Sequence, residues 1–147
     1  MKSKDKSKKP HPKTKNHHSK IRNIREEMHD WLSRLKESDK FIIVEGIKDK
    51  KALINMGIES DRIIPLTKAI YAVAEHVATK TKKAIILTDL DKEGRKLYAA
   101  LKTDLSRNGV EVDNYFREFL FAKSDLTHIE GIGSYFKRLY QESGFDI

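Results

Sequence analysis

The chain contains no cysteine, which excludes disulfides and thiolate metal sites outright. Any metal must therefore be held by oxygen or imidazole. No apolar run reaches membrane-spanning length, and no charged-then-apolar leader opens the sequence, so the expectation is a soluble, cytoplasmic protein with no membrane partner. Also missing are a phosphate-binding P-loop, a nucleophilic serine arrangement and any internal repeat. At 147 residues the chain is long enough for one packed domain and short for two.

Positive charge is also scarcer than it first looks. The formal net charge is +8, yet residues 1–20 hold eight lysines and one aspartate, which leaves +1 for residues 21–147. The folded part is nearly neutral, and only the tail argues for a phosphate partner. Apart from Met1, that tail has no apolar residue and reads as disordered. It is either an electrostatic tether to RNA or DNA, with salt-sensitive binding, or a solubilising tail. His11, His17 and His18 lie among its prolines and lysines and do not read as a metal tract.

From Ile21 the pattern changes. Ile21, Ile24, Met28, Trp31 and Leu35 fall at helical spacing, predicting an amphipathic helix over 21–38. Its polar face mixes Arg with Glu and Asp, so the stripe should pack on the domain rather than a membrane. Short apolar runs then alternate with helical patterns. KFIIVEG, RIIPL and KAIILTD read as strands; DKKALINMG is a helix stopped by Gly57. Ile70, Val73, Ala74 and Val77 line a second helix, and Leu97, Leu101 and Leu105 stripe a long one that Gly109 should end. VEVDNYF alternates like a fourth strand, REFLFAKS fits helix or loop, and Tyr135, Phe136, Leu139 and Tyr140 mark a final helix. Strands taking turns with helices imply a parallel sheet with right-handed crossovers and helices on both faces.

Ligands of an open parallel sheet bind outside the carboxyl ends of its strands, and the acids of this chain obey that rule. Glu45 closes the first apolar run, Asp89 and Asp91 close the third, and Asp49 lies about one helical turn beyond Glu45. If those two strands are neighbours, these carboxylates converge on one edge, and Asp89 and Asp91, two apart, can reach one cation. Hard carboxylate oxygen suits Mg²⁺, which keeps waters or substrate phosphates among its ligands. Lys92 and Arg95 either neutralise phosphate or simply face water. Gly94, in the first helical turn, points to a close backbone approach. In HIEGIGSYF, His128, Glu130 and a Gly-x-Gly lack the third glycine of a dinucleotide loop and read as a turn or helix start near the acidic edge. His29 and His76 read as surface or packing residues.

VEGIKDKKAL followed by ILTDLDKEGRKL resembles a Toprim domain, the catalytic module of bacterial-type primases, type IA and type II topoisomerases, overcoming-lysogenisation nucleases and the nuclease that matures small ribosomal RNA. The resemblance covers roughly residues 40–123 and is greatest to small stand-alone Toprim proteins, best known from archaea. Glu45, followed by Gly46, matches the family glutamate, and Asp89 and Asp91 match its DxD. Gly94 matches the glycine of the topoisomerase form D-x-D-R-E-G, with Lys92 in place of the arginine, and Asp49 matches an acid found in primases and the ribosomal-RNA nuclease.

The resemblance implies that the DxD binds Mg²⁺, with Mn²⁺ an alternative, and that Glu45 is general acid or base in phosphoryl or nucleotidyl transfer, also touching metal, with Asp49 assisting. Gly46, Gly94, Lys92 and Arg95 would lie along phosphate or backbone. Primases carry a further acid pair on a later strand; Asp113 and Asp125 are available here, though in no matching motif. Asp125 or Glu130 would be the additional acid by likeness to the ribosomal-RNA nuclease.

The expected architecture is thus an α/β, Toprim-type, Rossmann-like parallel sheet of about four strands with helices on both faces. A tail (1–20) and an amphipathic helix (21–38) precede the Toprim domain with its C-terminal helical extension (39–147). The expected function is Mg²⁺-dependent chemistry on nucleic acid, RNA before DNA, as an RNA-processing nuclease. The alternative is a non-catalytic nucleic-acid-binding or adaptor module within a protein complex.

Overall fold

A computed structural model describes residues 17–142, with side chains from 23 to 141. Residues 1–16, with His11, and the side chains of His17, His18 and Ile21 lie outside that range. The elements are α1 (His17–Glu37), β1 (Phe41–Val44), α2 (Ile47–Asn55), β2 (Ile63–Pro65), α3 (Ile70–Ala78), β3 (Lys83–Leu87), α4 (Lys92–Arg107), β4 (Glu111–Asp113), α5 (Tyr115–Lys123) and α6 (Ile132–Glu142). The strands form one parallel sheet in the order β2-β1-β3-β4. The expected α/β class and its four strands are therefore present.

Apart from the exposed Lys83 at the start of β3, the central strands are apolar because both of their faces are covered. Ile42 and Val44 of β1 join Ile85 and Leu87 of β3 in one core with Trp31, Leu53, Phe116 and Leu120. Ile43, Ala84 and Ile86 face the other way, onto Val73, Val77, Leu101 and Leu105. Helices α1, α2, α5 and α6 thus cover one face and α3 and α4 the other. Met28, Trp31 and Leu35 are fully buried, and the Trp31 indole donates to the Phe116 carbonyl at 3.0 Å, locking α1 to α5. Ile24, on the same stripe, remains 37 % exposed. No helix of the described residues is long and apolar enough to cross a membrane.

Two glycines end helices as their positions imply. Gly57 (φ 101°) and Gly109 (φ 81°) adopt the left-handed conformation. Their N–H groups donate to Ile54 O and Ser106 O, while the next residues, Ile58 and Val110, donate to Leu53 O and Leu105 O. Such a double cap satisfies the last carbonyls of the helix and turns the chain into the following segment. The fourth strand is shorter than VEVDNYF, because Asp113 Oδ1 accepts the Tyr115 N–H at 3.1 Å and starts α5. REFLFAKS is helix, and Arg117 within it is buried.

Strand order reverses between β1 and β3: the chain leaves β1 toward β2, then crosses over β1 to reach β3. Val44 pairs with Leu87 at the carboxyl ends of the two strands. This switch point, where loops leave to opposite sides, is where such sheets open a crevice for ligands.

Candidate active site and metal centre

Glu45 follows β1 directly and Thr88 and Asp89 follow β3, so the strand pairing itself sets the first acids side by side. Glu45 Oε2 accepts the Asp89 N–H at 2.8 Å. One turn into α2, the Asp49 carboxylate reaches back to the Gly46 N–H at 3.1 Å, satisfying a free donor of the helix start. Asp91 is the N-cap of α4, with Oδ1 accepting the Gly94 N–H at 2.8 Å. Structural duty therefore fixes both Asp49 and Asp91 at the edge.

Asp89 is held more tightly. Only 8 % exposed, it accepts the Ile129 N–H at Oδ1, 2.8 Å away. Behind it, Arg117 donates from Nε to the Thr88 carbonyl at 2.9 Å and from its Nη2 to the Asp89 carbonyl at 2.6 Å. The guanidinium lies over the Tyr98 ring, 4.8 Å from its centroid. Thr88 Oγ1 donates to Gly94 O at 2.8 Å, joining the strand end to α4. Gly94 is needed for that approach: a Cβ there would sit 2.6 Å from the Asp89 carbonyl carbon and 2.8 Å from Glu45 Oε2.

A residue outside the DxD motif completes the cluster. His128 Nε2 lies 3.1 Å from Asp91 Oδ2, and ligand atoms of Asp89, Asp91 and His128 all fall within 4.8 Å of one another. Two carboxylates and an imidazole form a donor set that can hold a divalent cation. In sequence His128 was visible only as part of a turn; no spacing ties it to residues so far upstream.

Crowding shows in the protonation equilibria. Desolvation raises the Glu45 carboxyl above its usual range, and the charges of Asp89, Asp91 and Asp49 raise it further against the opposing Asp89 N–H bond. Asp49 is raised by burial first, then by Asp89, with Glu130 adding to it. Asp91 moves down instead, chiefly through the Gly94 N–H bond and then His128. A raised folded value means that Glu45 contributes stability below its ordinary 4.5 and loses it as pH rises through the elevated value. Metal-free Glu45→Gln should therefore melt above the wild type at pH 7, with the gain fading below pH 4.5; thermal melts in EDTA across that range test it.

The remaining acids go elsewhere. Asp113 is bound to Lys40 Nζ at 2.7 Å, so it anchors β4 to the residue before β1. Asp125 is 72 % exposed beside Arg138, at 3.7 Å. Among the described residues, the group whose ligand atoms converge is Asp89, Asp91 and His128, without Asp125. Glu130 is close enough to act on Asp49, and it lines a shallow groove with Lys48, Lys51 and Ser134. Lys92 and Arg95 are exposed on the first turn of α4.

Fold and donors define a Rossmann-like α/β domain that presents a metal-competent acidic cluster at its topological switch point. The Toprim domain model matches residues 40–120. A UPF0292 protein of Methanocaldococcus jannaschii is 34 % identical over 111 residues, 73 % of this chain and 87 % of that protein. One from Pyrococcus abyssi is 34 % identical over 110 residues, 74 % and 83 % of the respective chains. A solved structure of a protein from Aquifex aeolicus is similar with a TM-score of 0.65 at 36 % identity, covering 70 % of this chain and 95 % of that one. The chain belongs to the Toprim domain family, among the small UPF0292 proteins. Membership implies a metal-dependent function connected with nucleic acid.

Proposed function

We propose that this protein is a cytoplasmic nuclease that cleaves phosphodiesters of RNA in preference to DNA, supported by Mg²⁺ or Mn²⁺. The observation that carries this reading is Glu45, a carboxylate of raised pKa bonded to the backbone of Asp89, beside carboxylates suited to a cation. Asp89 and Asp91 would hold the metal, with Asp49 and Glu45 at its margin. When bound, the ion would offset negative charge developing on the phosphoryl oxygens. Cleavage adds water across a P–O bond, so one proton leaves the attacking oxygen and one reaches the departing oxygen. Glu45 moves one of these protons as general base or acid, a task suited to a carboxyl raised toward working pH. Lys92 and Arg95, exposed on the first turn of α4, would neutralise the substrate phosphates. The N–H groups of Gly46 and Gly94 are taken by Asp49 and Asp91, and Gly94 serves the close backbone approach.

The test is incubation with labelled single-stranded, duplex and structured RNA and DNA, in Mg²⁺ or Mn²⁺ against EDTA. Metal-dependent products should fall by about a hundredfold in Glu45→Gln. Asp89→Asn with Asp91→Asn should abolish them while leaving the lysine-rich segment's contribution to binding. Deleting residues 1–20 should weaken binding at low salt and flatten its salt dependence. Binding without products would favour the second reading, an adaptor in a protein complex, which the near-neutral charge of residues 21–147 supports.

A further inference from the structure

Building on Asp89 and Asp91 as metal ligands, we propose that His128 is a third protein ligand through Nε2. Its nitrogen makes the centre select a first-row transition dication over Mg²⁺. His128 lies beyond residues 40–120, which the domain model matches, so the family motif does not reach it.

The main chain, not the reach of a mobile side chain, brings this imidazole in. Leu90 N–H donates to the Thr127 carbonyl at 2.8 Å, and Ile129 N–H donates to Asp89 Oδ1 at 2.8 Å. The residues on either side of His128 are thereby pinned to the segment that carries the two aspartates. The ring has its own support, since Nδ1 lies 2.9 Å from Thr127 Oγ1. Since a carboxylate only accepts, the 3.1 Å bond to Asp91 Oδ2 is donated by Nε2–H, and a bound cation would take the place of that proton while Nδ1 keeps the Thr127 hydroxyl. Metal-bound histidines are held in this way, by a partner on the other nitrogen.

Nitrogen changes which ion fits. Mg²⁺ takes oxygen ligands and sheds its waters reluctantly, whereas imidazole suits transition ions. Mn²⁺ stands lowest in the affinity order of the first-row dications, so it is the most conservative probe of the effect, and it is paramagnetic.

The experiment uses the full chain with Mn²⁺ or Mg²⁺ as the added ion. It combines binding titrations with pulsed electron paramagnetic resonance of bound Mn²⁺, in the wild type, His128→Ala and Asp89→Asn/Asp91→Asn. The His128 side chain is 54 % exposed, so its removal leaves the core intact. Nitrogen modulation of the Mn²⁺ signal is expected in the wild type and not in His128→Ala. That variant should bind Mn²⁺ about tenfold more weakly and Mg²⁺ within about twofold of the wild type. Modulation absent from the wild type, or persisting in His128→Ala, overturns the ligand assignment even if Mn²⁺ still requires the aspartates. Unchanged Mn²⁺ affinity in Asp89→Asn/Asp91→Asn instead overturns the underlying reading of the acids, and the His128 proposal with it.

Discussion

Arg117→Met should cost about 3 kcal/mol of stability and loosen metal binding together. Arg117 serves two carbonyls, Thr88 O and Asp89 O. Thr88 is fully buried and Asp89 nearly so, and a buried acceptor left unpaired costs about 1 to 3 kcal/mol. Methionine also forfeits the guanidinium's place over the Tyr98 and Phe121 rings, 4.8 and 5.5 Å from their centroids, so the loss combines the hydrogen bonds with a smaller cation–π contribution. Burial holds the Arg117 pKa below its ordinary value, and this desolvation cost, relieved in the variant, keeps the net effect from reaching the full sum. Arg117→Lys should not rescue it, because one ammonium cannot reproduce a fork across consecutive carbonyls. The functional half follows from position. Freed from the guanidinium, the backbone of Asp89 no longer aims its carboxylate, and Mn²⁺ affinity should fall though Arg117 touches no ion. Chemical unfolding in EDTA beside an Mn²⁺ titration separates the two effects; a stability loss with unchanged affinity would refute the positioning role.

Gly94→Ala should also destabilise, by about 3 kcal/mol, although helix propensity alone forecasts a gain of about 1 kcal/mol. The signs are opposed, so the experiment decides. An added methyl meets the Asp89 carbonyl carbon at 2.6 Å and Glu45 Oε2 at 2.8 Å. The first is backbone of a segment already fixed by Arg117 and by the end of β3, and cannot swing aside. Relief must come from moving α4 away or displacing Glu45, and either separates the groups that would share the substrate. A shift of about 1 Å at a reacting centre can cost about a hundredfold in rate, so any nuclease activity should drop by that order. Gly133→Ala is the control: it lies in α6, and its Cβ would meet nothing within 4 Å. That variant should keep its stability to within about 0.5 kcal/mol.

These two residues differ in how legible they were. Gly94 could be read from the sequence, because a glycine in the first turn of a helix with good periodicity is locally unfavourable and asks for a reason. Arg117 could not be read at all. It sat in REFLFAKS, a stretch fitting helix or loop, and an arginine among aromatic residues gives no hint that it is buried or that it serves a strand end. Its α5 approaches the sheet only because α1 and the core under Trp31 and Phe116 bring it there.

The acids divide in the same way. Glu45, Asp49, Asp89 and Asp91 each sit next to a strand or in the first turn of a helix, and apolar runs ending in acids show that in one dimension. Local chemistry then fixes them, through an N-cap at Asp91 and a backbone bond at Asp49. Asp113 has a similar local placement, closing β4 and accepting the Tyr115 N–H, but on the edge strand away from the switch point, and Asp125 lies beyond α5. One is drawn into an ion pair with Lys40, and the other stands at the surface beside Arg138. His128 is the converse, a residue whose local pattern suggested a turn and whose neighbours come from far along the chain.

By itself, the sequence determined the alternation of strands and helices, the apolar strands of a sheet covered on both faces, the glycine helix stops and the acids at strand ends. Those properties depend on period, propensity and neighbours within a few residues, which a chain carries wherever it goes. Only the tertiary structure decided that β1 and β3 are adjacent, that Arg117 braces the end of β3, and that His128 stands against Asp91. Such contacts join residues tens of positions apart, and only the burial of a shared core selects them.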